Sequence, residues 1–101
     1  MTNSWSKALF EPHLHTTFEI TDEKIGRITA ELVEVTEKQS DRVESLSLLF
    51  RGPKEPVLRH ETHLVKHPKI GESKIFLGPI MYAKHDGVYY EAVFTRLKEL
   101  S

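Results

Sequence analysis

The sequence predicts a mainly β domain: a small antiparallel barrel or sandwich of about six strands, with a short N-terminal helix. Three observations predict it. Apolar and polar residues alternate in one stretch after another, the period of a strand with one buried face. Gly, Pro and Asp punctuate those stretches at short intervals. The chain has 101 residues, enough for one modest core, and shows no repeat, low-complexity tract or linker. Residues 1–101 are therefore expected to form a single β-rich domain.

The segment "SWSKALFEPHLH" reads as the helix, with residues 1–13 forming helix and turn. Ser4 can cap it, and Trp5, Ala8 and Leu9 share a face. Pro12 has no N–H to donate, so the helix should end near Phe10 or Glu11. Trp5 and Phe10 are expected to pin it to the core.

The strands follow. "TTFEIT" puts Phe18 and Ile20 on one face. "RITAELVEV" puts Ile28, Ala30 and Leu32 on one face, then Val33 and Val35 on the other, a parity shift that predicts a bulge or two buried faces. "SLSLLF" sets Leu46, Leu48 and Phe50 against Leu49. "THLVKH" has Leu64 as its clearest apolar residue. "KIFLGPIMYA" is interrupted by Gly78-Pro79, which predicts a bend or an edge. "GVYYEAVF" alternates Val88, Tyr90, Ala92 and Phe94 against Tyr89, Glu91 and Val93. Asp86-Gly87 signals a tight hairpin, and the short connections suggest an antiparallel meander. Residues 95–101 read as a C-terminal tail or short helix.

Charge and composition narrow the function classes. Fourteen basic and fifteen acidic residues are interspersed, which argues against nucleic acid as a partner. Protonation of the six histidines would reverse the net sign of −1. There is no cysteine, hence no disulfide and no thiolate metal site. No signal peptide or membrane-length apolar run is evident, so the reading is cytoplasmic with no membrane partner.

The histidines invite a metal reading, since His60, His63 and His67 crowd one short stretch. On a strand, however, the odd separation of His60 and His63 points them to opposite faces. "HETH" also lacks one residue of the helical zinc-protease spacing. No metal and no cofactor are therefore expected. His13 and His15 flank a turn, and His85 beside Asp86 has no nucleophile assigned to it by sequence. No nucleophile elbow, phosphate loop or dinucleotide fingerprint is present. The catalytic set is empty, and a binding or structural module is expected.

"SLLFRGPKEPVL", "LVKHPKIGESKIFLGPI" and "DGVYYEAVF" together resemble a small bacterial domain family of unknown function. Its pattern runs "F-x-P-h-L-G-x-x-F", "F-S-L-L-F-R-G-P", "Y-x-L-x-H-P-x-L-G" and "D-G-x-x-Y-E-A-V-F". The resemblance spans about Phe10 to Phe94. His15 stands where the pattern has glycine, His63 where it has tyrosine, and His67 where it has histidine. The resemblance implies neighbourhood to phage-tail-collar-like genes, hence an accessory role in a tail-like assembly.

The function expected is a non-catalytic interaction or assembly module, with a protein partner or self-association. The alternative is a small-ligand-binding barrel or an enzyme with a His/carboxylate site. Arg51, Glu91 and Tyr90 are expected to form a polar patch, in which Arg51 and Glu91 either face solvent or make a cross-strand ion pair. Phe76, Met81 and Tyr82, with Tyr89 or Tyr90, are expected to form a subunit contact along an edge strand.

Overall fold

The alternation closes on itself. The computed structural model describes residues 6–82 and 84–97. Its strands are β1 (Thr17–Asp22), β2 (Gly26–Gln39), β3 (Val43–Gly52), β4 (Glu61–His67), β5 (Gly71–Ile80) and β6 (Val88–Leu97). All pairings are antiparallel, and the order β1-β2-β3-β6-β5-β4 returns to β1 as a closed barrel. The predicted barrel is thus found, but not as one meander. Two three-stranded meanders, β1–β3 and β4–β6, are joined by a crossing segment, 53–60, so that β3 meets β6 and β1 meets β4.

Inside, the even positions of β1, β2, β3 and β6 supply Phe18, Ile20, Ile28, Ala30, Leu32, Leu46, Leu48, Phe50, Tyr90 and Ala92. β5 adds Ile75 and Leu77. Leu58 of the crossing segment and Phe10 complete this core from beside Tyr90 and Phe94 respectively. Each large apolar side chain so buried contributes about 1.5–3 kcal/mol. Leu49 is buried on the opposite face, so β3 is covered on both sides. The parity shift in β2 is a real bulge: the register slips between Leu32 and Glu34, leaving Val33 extra.

Four local expectations are corrected. In β4 it is His63, Val65 and His67 that point inward, while Leu64 faces out half-buried. Hydropathy misleads here because the imidazoles find polar partners inside. His63 sets Nε2 2.6 Å from the Arg59 carbonyl. β5 runs unbroken through Gly78-Pro79 and is no barrel edge. It pairs with β4 up to Leu77 and with β6 from Gly78 to Ile80, so Pro79 lies where one flank carries no ladder partner. Asp86-Gly87 does not make a two-residue hairpin; β5 and β6 are joined by residues 81–87. Thr95–Leu97 extend β6 instead of starting a tail.

At the N-terminus, α1 (Lys7–Phe10) is followed by a 3-10 turn, Glu11–His13, that begins around Pro12. Ser6 caps α1, its Oγ accepting the Leu9 N–H at 3.3 Å. Ser4 and Trp5 lie outside the described residues. Phe10 is buried and stacks on Phe94, centroids 6.5 Å apart, whereas Ala8 is exposed. The chain then enters β1 through His15, whose φ of 67° is the left-handed region that favours glycine. That is the position of the glycine in the resembled pattern. His15→Gly is therefore expected to raise stability by about 0.5–1 kcal/mol. Urea denaturation measures it, and a loss of stability would show that the contact of His15 with Glu31 outweighs the backbone term.

Candidate functional site

The outward face of β2, β3 and β6 carries rows of side chains set by register. Glu31, Arg51, Tyr89 and Ile80 form one row; Glu34, Leu49, Glu91 and Gly78 form the next. Tyr82 and Asp86, from the connection that follows β5, lie back over these rows. Tyr82 stacks on Tyr89 at 4.2 Å between centroids, which leaves Tyr89 buried although it points away from the core.

Arg51 is the centre of this arrangement. Its Nη2 donates to Glu31 Oε1 at 2.5 Å and its Nη1 to Asp86 Oδ2 at 3.1 Å. Asp86 and Glu31 push its pKa further up. Tyr89 donates its hydroxyl to Asp86 Oδ1 at 2.7 Å, which raises the phenol's pKa and lowers that of the carboxyl. The other Glu31 oxygen lies 3.1 Å from His15 Nδ1. Around them runs a shallow groove of about 220 Å³, walled also by Glu34, Tyr82 and Lys84. Across Tyr82 it continues into a hollow of about 270 Å³ between Lys38, Ser47, Leu49 and Glu91.

The expected site residues divide accordingly. Arg51, Tyr89 and Tyr82 come together. Glu91 does not pair with Arg51; it sits one row away and accepts from Ser47 Oγ at 3.2 Å. Tyr90 is not in the patch: it has 0% exposure, because strand neighbours point to opposite faces. Its hydroxyl accepts the Leu58 N–H at 2.9 Å and ties the crossing segment to the core. Phe76 and Met81 are exposed, at 63% and 98%, and belong to the outside of the wall. Sequence reasoning missed Glu31 and Asp86 as partners of Arg51, and His15 as a neighbour of Glu31. The Asp-Gly signal marked Asp86 as a turn residue, but nothing local pointed it at Arg51.

Two further polar clusters lie at the barrel ends. Buried Asp22 accepts N–H groups from Lys24 (2.8 Å) and Ile25 (3.1 Å), and the Arg59 guanidinium through Nε (3.3 Å) and Nη2 (3.1 Å). Arg59 holds the Asp22 carboxyl well below the usual carboxylate range. His63 Nδ1 is 3.9 Å from the same carboxylate, and Arg59 also pairs with Glu61. The second cluster is His67, packed against His13 at 4.6 Å and Phe18 at 4.4 Å. Its Nδ1 accepts from Lys69 N (3.0 Å) and Ile70 N (3.4 Å), so Nε2–H is left to donate to Thr16 Oγ1 at 3.0 Å.

Residues 5–94 match the model of the domain of unknown function DUF6916. The chain belongs to that family. No curated protein matches it, and no solved structure does.

In this DUF6916 domain the polar groups are spent on one another. The Arg51 donors meet carboxylates, the Tyr89 hydroxyl is engaged, and His63 and His67 serve the backbone. His60 and His63 do part, His60 lying exposed over Gly78 and His63 buried. Among the described residues no three His, Asp or Glu side chains are gathered for a metal, and no helix is long and apolar enough to cross a membrane. A DUF6916 surface of this kind can hold a loop rigidly and present a groove with apolar flanks.

Proposed function

We propose that the domain is a non-catalytic interaction or assembly module. It binds a protein partner or further copies of itself, as an accessory protein of a bacterial, phage-tail-like complex. The observation that carries this reading is the apolar side chains turned outward. Phe76, Met81, Val93 and Leu97 are all exposed, on β5, on β6 and on the segment joining them. Their inward neighbours Ile75, Leu77 and Ala92 already fill the core, so the outer set has no packing role within the barrel. Aromatic residues and methionine are enriched where proteins meet.

The rival reading, a small-ligand barrel or a His/carboxylate enzyme, would rest on the His15–Glu31 contact in the groove. There Glu31 is already held by Arg51, and His15 is 70% exposed, without the burial that tunes a catalytic group.

Met81→Glu tests the proposal. The side chain touches little, so the melting temperature should hold within about 2 °C, as for ordinary surface changes. Capture of the native partner, or the mass of the homo-oligomer, should fall at least about tenfold in affinity for a buried contact residue. An unaltered complex would remove this face from the interface.

A further inference from the structure

β2 outlasts its neighbour. β1 pairs with it from Asp22↔Gly26 to Thr17↔Glu31, and the bonds of Leu32 with His15 and Thr16 carry the pairing to Leu32. There His15, at φ 67°, leads the chain away, while the bulge at Val33 re-aims β2. From Glu34 to Gln39, β2 pairs with β3 on one side, and among the described residues no strand pairs with its other side. Such an edge presents a row of N–H and C=O groups that another extended backbone can satisfy along its length.

The side chains select the occupant. Glu34, Thr36 and Lys38 share the outward face of this edge, opposite Leu49, Ser47 and Ser45 of β3. Glu34 and Lys38 are exposed. Charged residues on an edge usually keep copies apart because like signs meet. Here the signs are reversed about Thr36. Antiparallel pairing about a two-fold axis at Thr36 sets Glu34 opposite Lys38 of the partner subunit, and Lys38 opposite Glu34 of the partner subunit. Thr36 meets its own counterpart, a favourable cross-strand pair. On the inner face, Val35 meets Glu37 of the partner subunit, so no like charges face each other there either.

We propose that the β2 edge from Glu34 to Lys38 is the seam of a two-fold dimer, with β2 of one copy paired antiparallel to β2 of the other. The contact is isologous and closes after two copies. It joins the outward faces of the two barrels into one continuous surface, with a groove beside Tyr82 on each half. This rests on the assembly reading above and names one partner for it, a second copy of this chain.

Sedimentation equilibrium of the wild-type chain, Glu34→Lys, Lys38→Glu and the double exchange tests the seam. Each single exchange places two like-charged pairs across the axis and should weaken the dimer on the order of tenfold. The double exchange restores opposite signs and should return the affinity to near wild type. Melting curves taken at a concentration where all the chains are monomeric should be superimposable, because both side chains are exposed. If a single exchange lowers the melting temperature of the monomer, Glu34→Gln and Lys38→Gln replace it, with a smaller weakening expected. A wild-type monomer at all concentrations, a dimer indifferent to the single exchanges, or a double exchange as weak as the singles combined would overturn the seam. A dimer lost with Met81→Glu but kept in these variants would also overturn it, while leaving the assembly reading in place.

Discussion

Gly87→Ala should destabilise the domain by about 1–3 kcal/mol, the range of an overpacked site with no room to yield. A Cβ at Gly87 would stand 2.4 Å from the Gly52 carbonyl oxygen and 3.2 Å from Arg51 Cγ. The backbone at Gly52 is itself closely packed: a Cβ placed there would come within 3.1 Å of Ile28 and 3.2 Å of Tyr90. The added methyl is therefore expected to push Gly87, and with it Asp86, away from β3 and Arg51. Gly78→Ala is the control. There the new methyl would meet the His60 ring, at 1.9 Å, but that ring is exposed and can swing into solvent. Its cost should be small. Urea denaturation of both variants gives the comparison; equal stabilities would show that Gly87 does not lie tightly against Gly52 of β3.

Mild acid should have the second large effect. Burial first, and then the neighbouring His13 and Lys69, hold the His67 pKa below 6.5. Protonation would place an N–H against the Lys69 and Ile70 N–H groups, which need an acceptor. Glu19, Lys66 and Glu72 border the adjoining hollow. A histidine in the unfolded chain takes its proton near pH 6.5, and His67 in the folded chain does so at lower pH. The unfolded state thus binds more protons, and stability is lost as pH falls below about 6.5. Asp22 behaves as a depressed carboxylate: its contribution is whole above about pH 4 and is lost in stronger acid. Melting temperature should decline between pH 7 and 5, and again, more steeply, below 4. His67→Asn, which keeps an acceptor oxygen and cannot take the proton, should flatten the first decline only. A wild-type melting temperature unchanged from pH 7.5 to 5 would contradict the buried neutral imidazole.

Much of the barrel was legible because its code is local. The alternation of Phe18 with Ile20, and of Leu46 with Leu48 and Phe50, fixes which face is core, and the switch to Val33 and Val35 marks the bulge. Strand order was not legible. It depends on pairings such as Val43↔Leu97, which no window of sequence contains. The same limit hid the site. Arg51 stood out as a charge among apolar residues, but its partners Glu31 and Asp86 are brought to it by register and by a folded-back segment. Tyr90 was assigned to the polar patch for its hydroxyl, although its parity with Val88 and Ala92 already placed it inside. His63 and His67 failed the hydropathy pattern for a related reason: a buried polar ring is acceptable where backbone groups satisfy it.

The crossing segment has a kinetic consequence. Each half of the barrel, β1 to β3 and β4 to β6, can form from neighbouring residues alone. Neither half can complete its wall until 53–60 brings β6 to β3 and β4 to β1. The loop-closure entropy of both seams is spent before their contacts stabilise anything, which places folding on the order of milliseconds to seconds. During that interval β3 and β6 expose unpaired backbone and the apolar rows of Leu46, Leu48 and Ala92 at the same time. A freshly made chain is then most vulnerable to aggregation through the half-built barrel, and the seam between β3 and β6 is the step whose acceleration would protect it.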